Sequence, residues 1–146
     1  QVDVPSLTMT SIKQEKLEAG KTGLENLGNT CYMNSVLQAL YMCEQFRRDV
    51  LTKTPHGKEN LLVKLQHVFA HLSQSNRPTM TPTKFLQASR PPWFLPGHQQ
   101  DCSEFLKHML NKLHEDEKSS YHSGIEERPS SEFISSTETI RDTLNK

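Results

Sequence analysis

The most informative segment of the chain runs Thr22-Gly-Leu-Glu-Asn-Leu-Gly-Asn-Thr-Cys-Tyr-Met-Asn-Ser-Val-Leu-Gln-Ala-Leu40. Its first half predicts a loop, because two glycines permit backbone angles that other residues rarely adopt. A helical pattern begins near Cys31. At about 100° per residue, one arc of this helix collects the apolar side chains Met33, Val36, Leu37, Leu40 and Cys43. Cys31 falls opposite that arc, so its thiol is predicted to point away from the core.

The three cysteines of the chain receive different predictions. Cys31 lies at a helix N-terminus, where unpaired backbone amides favour a thiolate. Cys43 lies on the edge of the apolar arc at the other end of the same helix and is predicted to be structural. Cys102 falls between Phe105 and Met109 in the apolar stripe of a later helix and is predicted to be a core residue. Only Cys31 remains as a candidate nucleophile.

Four further segments carry helical periodicity, and no convincing strand accompanies them. They are Glu44 to Leu51, Asn60 to Ser75, Thr81 to Ala88, and Asp101 to Lys118. The loop from Ser89 to Gly97 cannot be helical because its prolines lack amide donors, yet it carries Trp93 and Phe94 and is predicted to pack on the helices. The segment is therefore predicted to be mostly α-helical.

The two ends of the chain differ from its middle. Residues 1 to about 21 are mixed and polar and are predicted to form a tail or linker. Residues 119–146 are polar and serine-rich, and are predicted to be a disordered insert or tail. Residues 22–118 have the length of one modest domain, in keeping with a composition of 34% hydrophobic and 23% charged residues.

The charge balance narrows the classes of partner. Lysine plus arginine number 17, as do aspartate plus glutamate, so no basic field attracts nucleic acid or an anionic membrane, and a protein is the expected partner. No window approaches about 20 consecutive apolar residues, and the first residues lack a signal-peptide pattern. Three cysteines without metal-type spacing indicate a reducing, intracellular compartment. Cytoplasm and nucleus both stay open, since no basic import cluster decides between them.

The segment from Thr22 to Leu40 resembles the cysteine box of the ubiquitin-specific proteases almost position for position. A second block, Gln99-Gln-Asp-Cys-Ser-Glu-Phe-Leu106, resembles the family's second box, and together the boxes cover about residues 22 to 118. The resemblance implies that this segment is the helical thumb of a papain-like α+β cysteine peptidase. The implied activity is deubiquitination, the hydrolysis of the peptide or isopeptide bond at the C-terminal glycine of ubiquitin. Ubiquitin and ubiquitinated proteins are the implied partners.

The same resemblance implies two catalytic roles. Cys31 matches the nucleophile that attacks the carbonyl at the ubiquitin C-terminus. Asn26 matches an asparagine whose side-chain amide helps to hold the oxyanion, a donor that can contribute about 10²- to 10³-fold in rate. Without the resemblance, an asparagine that stabilises its own turn would be the simpler interpretation.

Four residues of the second box are implied to contact the substrate. Asp101 and Glu104 match acidic residues that bind the arginine-rich tail of ubiquitin. Both would also favour the positive end of a helix, and the two interpretations are compatible. Either Gln99 or Gln100 is expected to line the channel that admits the two terminal glycines, and the spacing does not decide which.

The histidine base of the family lies in a Gly-His-Tyr-like block that does not occur before Lys146. His98 abuts the second box and is assigned no catalytic role. His67 and His71 are one helical turn apart, but this spacing lacks a third ligand and more often marks a solvated polar face, so neither a metal nor a cofactor is predicted. We expect the chain to carry the nucleophile without the base and to be inactive alone. A non-catalytic ubiquitin-binding module and an inert helical fragment are the alternatives.

Overall fold

The computed structural model describes residues 21–55 and 60–122, which form five helices and one pair of short strands. The helices are α1 (Cys31–Met42), α2 (Glu44–Thr52), α3 (Leu61–Gln74), α4 (Thr83–Ser89) and α5 (Cys102–His122). The strands are β1 (Gly23–Leu24) and β2 (Thr79–Met80). The predicted mostly helical class is confirmed. No helix in the described part of the chain is long and apolar enough to cross a membrane.

The strand pair is the element that the sequence did not predict. β1 and β2 run parallel, with Gly23 opposite Thr79 and Leu24 opposite Met80. The Gly23 amide also donates to the Pro78 carbonyl at 2.8 Å. Two-residue strands are too short to show alternation of apolar and polar residues, so their pairing depends on tertiary structure rather than on local pattern. The pair fixes the start of the Thr22–Leu40 segment against the end of α3.

One hydrophobic core joins all five helices. Residues with at most 1% of their surface exposed come from all five helices and include Met33, Leu37, Phe46, Leu65, Phe69, Phe85, Phe105 and Met109. Phe69 of α3 receives the rings of Tyr41 at 5.5 Å and Phe46 at 6.3 Å, both edge to face. Such ring pairs add about 0.5–1.5 kcal/mol each beyond the burial of area. The apolar arc predicted for α1 is buried as expected, apart from Cys43.

Cys43 and Cys102 are both exposed, so the core positions predicted for them are wrong. Cys43 lies between α1 and α2 with an extended backbone, φ −74° and ψ 98°, so the helical phase that placed it in the arc has already ended. Cys102 is the first residue of α5, and the buried stripe of that helix begins at Phe105. Extrapolating a helical phase beyond the packed turns caused both errors.

Side chains of two helices donate hydrogen bonds to carbonyls at the C-terminal ends of neighbouring helices. Lys112 of α5 donates through Nζ to the Ala88 carbonyl at the end of α4, over 2.6 Å. Gln66 of α3 donates through Nε2 to the carbonyls of Val50 at 2.8 Å and Lys53 at 2.6 Å, at the end of α2. The last carbonyls of a helix have no partner within it, so these bonds satisfy groups that would otherwise need water. They also tie α5 to α4 and α3 to α2.

The last helix is longer than predicted, because α5 continues to His122 rather than ending at Lys118. Near its C-terminal end, Glu117 and Lys53 form a buried ion pair with 2.5 Å between Oε1 and Nζ. The neighbouring Asp116 accepts the Leu61 amide at the start of α3 over 3.3 Å. The tail predictions for residues 1–21 and 119–146 fall almost entirely outside the described residues.

Glu25, which directly follows β1, accepts hydrogen bonds through both of its carboxylate oxygens. Thr79 donates its hydroxyl to Oε1 at 2.7 Å, and Thr81 donates to Oε2 at 2.9 Å. These two hydrogen bonds favour the charged form and lower the pKa of Glu25 from its ordinary value of 4.5.

The stability contributed by Glu25 should therefore depend on acidity. It is fully present above pH 4.5 and is lost as the pH falls through the lower pKa of the folded state. Between about pH 6 and about pH 3, the urea midpoint of the wild type should fall more steeply than that of Glu25→Gln. Glu115→Gln, a change of an exposed glutamate on α5, serves as the control. Parallel curves for the wild type and Glu25→Gln would contradict the assignment.

Candidate active site

The loop before α1 turns through two residues with left-handed backbone angles. Gly28 has φ +85° and Asn29 has φ +57°. Glycine adopts this region without strain, and asparagine tolerates it better than most side chains do. The turn delivers Thr30 and Cys31 to the start of α1. The two-glycine signal in the sequence therefore predicted the loop correctly, although Gly23 belongs to a strand.

Thr30 fixes the orientation of the Asn26 side chain. The Thr30 amide and hydroxyl both donate to Asn26 Oδ1, at 3.0 and 3.2 Å. The hydroxyl in turn accepts the Leu27 amide at 2.9 Å. Because two donors meet Oδ1, the other end of the amide must be the Nδ2 group, which makes no hydrogen bond within the described residues. Asn26 is exposed, so this NH₂ group is available as a donor.

A second asparagine ties the backbone beside Asn26 to α1. Asn34 donates through Nδ2 to the Glu25 carbonyl at 3.1 Å, while the Glu25 amide donates to the Met80 carbonyl at 3.0 Å. Glu25 is thus bound through its amide, its carbonyl and its carboxylate. Asn26 follows this residue directly, so both its backbone and its side chain are held in place.

Cys31 is the first residue of α1 and is exposed, as the helical phase predicted. The first amides of a helix lack intrahelical partners and carry partial positive charge. The Cys31 carbonyl accepts the Ser35 hydroxyl at 2.7 Å, which adds a bond to the first turn. The thiol therefore stands in solvent at the positive end of the helix, five residues after Asn26.

The ends of α1 and α5 meet through the residue that follows Cys31. The ring of Tyr32 contacts Phe94 at 5.6 Å and Phe105 at 5.2 Å, both edge to face, and burial raises the pKa of Tyr32. The loop residue Asn29 also donates through Nδ2 to the Gly97 carbonyl at 2.7 Å. These contacts bring the two recognised sequence boxes to the same side of the molecule.

Asp101 and Glu104 lie at the start of α5, and both are exposed. Asp101 Oδ1 accepts the Glu104 amide at 2.8 Å, so Asp101 caps the helix, and its other oxygen makes no hydrogen bond within residues 21–55 and 60–122. Glu104 Oε1 accepts the indole N–H of Trp93 at 2.8 Å. The helix-end interpretation of Asp101 is thus observed, while one oxygen of each carboxylate makes no hydrogen bond in the part of the chain that the structure describes.

The two glutamines before α5 differ in their surroundings. Gln100 is half-buried and donates to the Leu95 carbonyl of its own loop over 3.4 Å. Gln99 is exposed. A cleft of about 140 Å³ separates the loop around Asn29 from the loop around Gly97, and His98 lines it. Among the described residues, no hydrogen bond joins the His98 imidazole to Cys31.

Two residues of this region were missed by the sequence analysis. Thr30 could have been noticed as a threonine just before a helix, which usually caps the first turn, but here it makes no cap bond and binds Asn26 instead. Trp93 was noted only as part of a loop predicted to pack on the helices, and its bond to Glu104 was not predicted. Phe94 is buried, whereas Trp93 is 57% exposed.

The structure shows no group of three or more histidine, cysteine, aspartate or glutamate residues that could hold a metal ion within its described part. His67 and His71 instead line a separate cleft of about 500 Å³ between α3 and α4, together with Lys64, Met80 and Lys84.

Comparison with known proteins agrees with the two boxes. The family model described as "Ubiquitin carboxyl-terminal hydrolase" matches residues 22–144. Ubiquitin carboxyl-terminal hydrolase 35 of Homo sapiens is 55% identical over 103 residues, which cover 70% of this chain and 10% of that protein. Hydrolase 4 of Arabidopsis thaliana is 41% identical over 62% of this chain and 27% of that protein, and hydrolase 12 of Salmo salar is 43% identical over 62% and 26%. The chain thus spans a tenth to about a quarter of the length of these relatives.

Replacing Thr30 by valine tests the support of Asn26. Thr30→Val keeps the shape but leaves the partly buried Leu27 amide without its acceptor and removes one donor to Asn26 Oδ1, so unfolding should cost about 1–2 kcal/mol less. The side-chain NH₂ signals of Asn26 in NMR spectra should broaden or move towards free-amide positions. Thr30→Ser retains the hydroxyl and is the matched control. Unchanged Asn26 signals in Thr30→Val would show that the threonine does not orient it.

Proposed function

The chain belongs to the ubiquitin carboxyl-terminal hydrolase family, and from this premise we propose that Cys31 is the nucleophile of a deubiquitinase of the ubiquitin-specific protease type. The proposal depends on two features, an exposed thiol at the start of α1 and the Asn26 side chain just before it. Thr30 donates two hydrogen bonds to the Asn26 oxygen, which leaves the NH₂ group without a partner within the described residues. A nucleophile beside an oriented donor is the arrangement that acyl transfer requires.

The proposed reaction proceeds through an acyl-enzyme. The Cys31 thiolate adds to the carbonyl of the C-terminal glycine of ubiquitin, and the Asn26 NH₂ group stabilises the oxyanion that forms. The tetrahedral intermediate then expels the amine of the attached protein, which takes up a proton, and leaves ubiquitin joined to Cys31 as a thioester. Water hydrolyses this thioester and releases ubiquitin with a free carboxylate.

The thiol needs a base, and we propose that this base comes from outside the described residues. The chain spans a tenth to about a quarter of the length of its relatives, so a histidine supplied by the remainder of the domain is consistent with the comparisons. In this proposal residues 22–118 are the thumb of the complete catalytic domain. The segment alone would hold the nucleophile in place but would turn over little substrate.

The second box is proposed to bind the ubiquitin tail. Asp101 and Glu104 each keep an oxygen that makes no hydrogen bond within the described residues and can accept from an arginine side chain. The packing of the start of α5 against the start of α1, where Cys31 lies, supports this role. Of the two glutamines, the exposed Gln99 is better placed to contact a peptide, because Gln100 is bound to its own loop. The balanced charge of the chain supports a protein substrate rather than nucleic acid or a membrane surface.

The compartment proposed for this chemistry is the cytoplasm or the nucleus. All three cysteines are free and exposed. Exposed thiols of this kind persist in reducing compartments, whereas secreted domains of similar size are usually held by disulfides.

Labelling with an electrophilic ubiquitin probe tests the nucleophile. The complete protein should form one covalent adduct with the probe, and Cys31→Ala should abolish it. Because Cys43 and Cys102 are also exposed, Cys43→Ala and Cys102→Ala are matched controls and should label at the wild-type rate. An adduct that survives Cys31→Ala would refute the assignment. Ubiquitin binding without an adduct at Cys31 would favour the non-catalytic binding module.

The role of Asn26 is tested by removing its donor while keeping its acceptor. Asn26→Asp can still accept the two bonds from Thr30, but it presents no NH₂ group to the oxyanion. With a fluorogenic ubiquitin substrate, kcat of the complete protein should fall by about 10²- to 10³-fold, while KM changes little, because the interaction forms only in the transition state. A wild-type kcat in Asn26→Asp would remove Asn26 from the mechanism.

A further inference from the structure

The side chain of Trp93 is largely exposed, yet its only polar atom already makes a hydrogen bond. Its side chain is 57% exposed, yet its single donor, Nε1, is bound to Glu104 Oε1 at 2.8 Å. The indole N–H of an exposed tryptophan could donate to water instead of to a carboxylate. The bond therefore fixes the indole and the carboxylate relative to each other at the protein surface.

The surroundings of Trp93 hold the indole still. Its ring meets Phe94 at 6.4 Å with an interplanar angle of 89°, and His108 at 5.2 Å with an angle of 84°. The preceding Pro91 is buried and limits the motion of the loop. Because the indole is already held, a ligand that stacks on it loses little conformational entropy in binding.

An indole beside a carboxylate suits one side chain particularly well. The guanidinium group of arginine is planar, stacks on aromatic rings and donates to a carboxylate through a fixed fork. Glu104 keeps its second oxygen open next to the indole, and Asp101, one turn away, keeps another. An ammonium group would satisfy the charge but would lose the stacking and the paired geometry.

We propose that Trp93 stacks on the arginine that Glu104 binds, and that Trp93 thereby determines the preference for arginine over lysine in the tail of ubiquitin. This inference rests on the proposed function and deepens it. Its place in the molecule supports it, because the contacts of Tyr32 with Phe94 and Phe105 hold the loop of Trp93 and the start of α5 against the start of α1, where Cys31 lies.

The experiment measures kcat and KM of the complete protein on two fluorogenic substrates, wild-type ubiquitin and ubiquitin whose tail arginines are replaced by lysines. Trp93→Leu should raise KM for wild-type ubiquitin by about 3- to 30-fold and leave kcat within about twofold, because stacking acts in the ground state and the transition state alike. On the lysine-tailed substrate, Trp93→Leu should raise KM by clearly less than on wild-type ubiquitin, because an ammonium group is attracted to the indole face but cannot stack on it.

Two further variants separate stacking from other effects. Trp93→Phe keeps an aromatic face but loses the bond to Glu104, and should lie between the wild type and Trp93→Leu. Leu95→Ala removes another exposed apolar side chain of the same loop, 64% exposed, and should behave as the wild type. Urea unfolding of each variant checks that the fold is intact.

Three results would overturn the proposal or its basis. An equal rise in KM on both substrates would show that Trp93 does not read arginine. An unchanged KM in Trp93→Leu, with turnover that still requires Cys31, would refute the role of Trp93 and leave the proposed function standing. No Cys31-dependent turnover by the wild type would refute the proposed function and this inference with it.

Discussion

The ring of Tyr32, held edge to face by Phe94 and Phe105, is the contact on which the candidate site depends. It belongs to the residue after Cys31, and its two partners come from the proline-rich loop and from α5. Through this one buried ring the core sets the position of α1, which begins at Cys31, against the acidic start of α5. The hydrophobic packing therefore does more than stabilise the helices, since it brings together two segments about 70 residues apart in the sequence.

Around that contact, polar side chains are oriented by hydrogen bonds to neighbouring residues. The Asn26 oxygen is taken by Thr30, which leaves the amide nitrogen open, and one oxygen of Glu104 is taken by Trp93, which leaves the other open. Within the described residues, each group keeps one polar atom without a hydrogen-bond partner, and the other atom fixes its direction. A site organised in this way can be aligned before a substrate arrives, and such preorganisation is the main source of electrostatic catalysis and of selective binding.

The sequence predicted the parts of this structure that depend on local periodicity or on family resemblance. The buried arc of α1 and the exposure of Cys31 follow from helical phase, and both are observed. The parallel strand pair and the exposure of Cys43 and Cys102 were not predicted, because they depend on where packing begins and ends rather than on period. The orientation of the Asn26 side chain was likewise not predicted. Nothing in the order of residues indicates that Thr30 turns the Asn26 amide, since that bond exists only after the loop has folded.

The left-handed turn before Cys31 has a consequence for sequence variation. Asn29 meets two demands, because its backbone has φ +57° and its side-chain nitrogen donates to the Gly97 carbonyl. Glycine would satisfy the backbone but has no donor, and aspartate tolerates the angle but cannot donate. Longer side chains that could also donate to the Gly97 carbonyl would be strained at this left-handed backbone angle. Among the small residues that tolerate this angle, only asparagine can also donate the bond, so we expect little sequence variation at this position while exposed positions nearby vary.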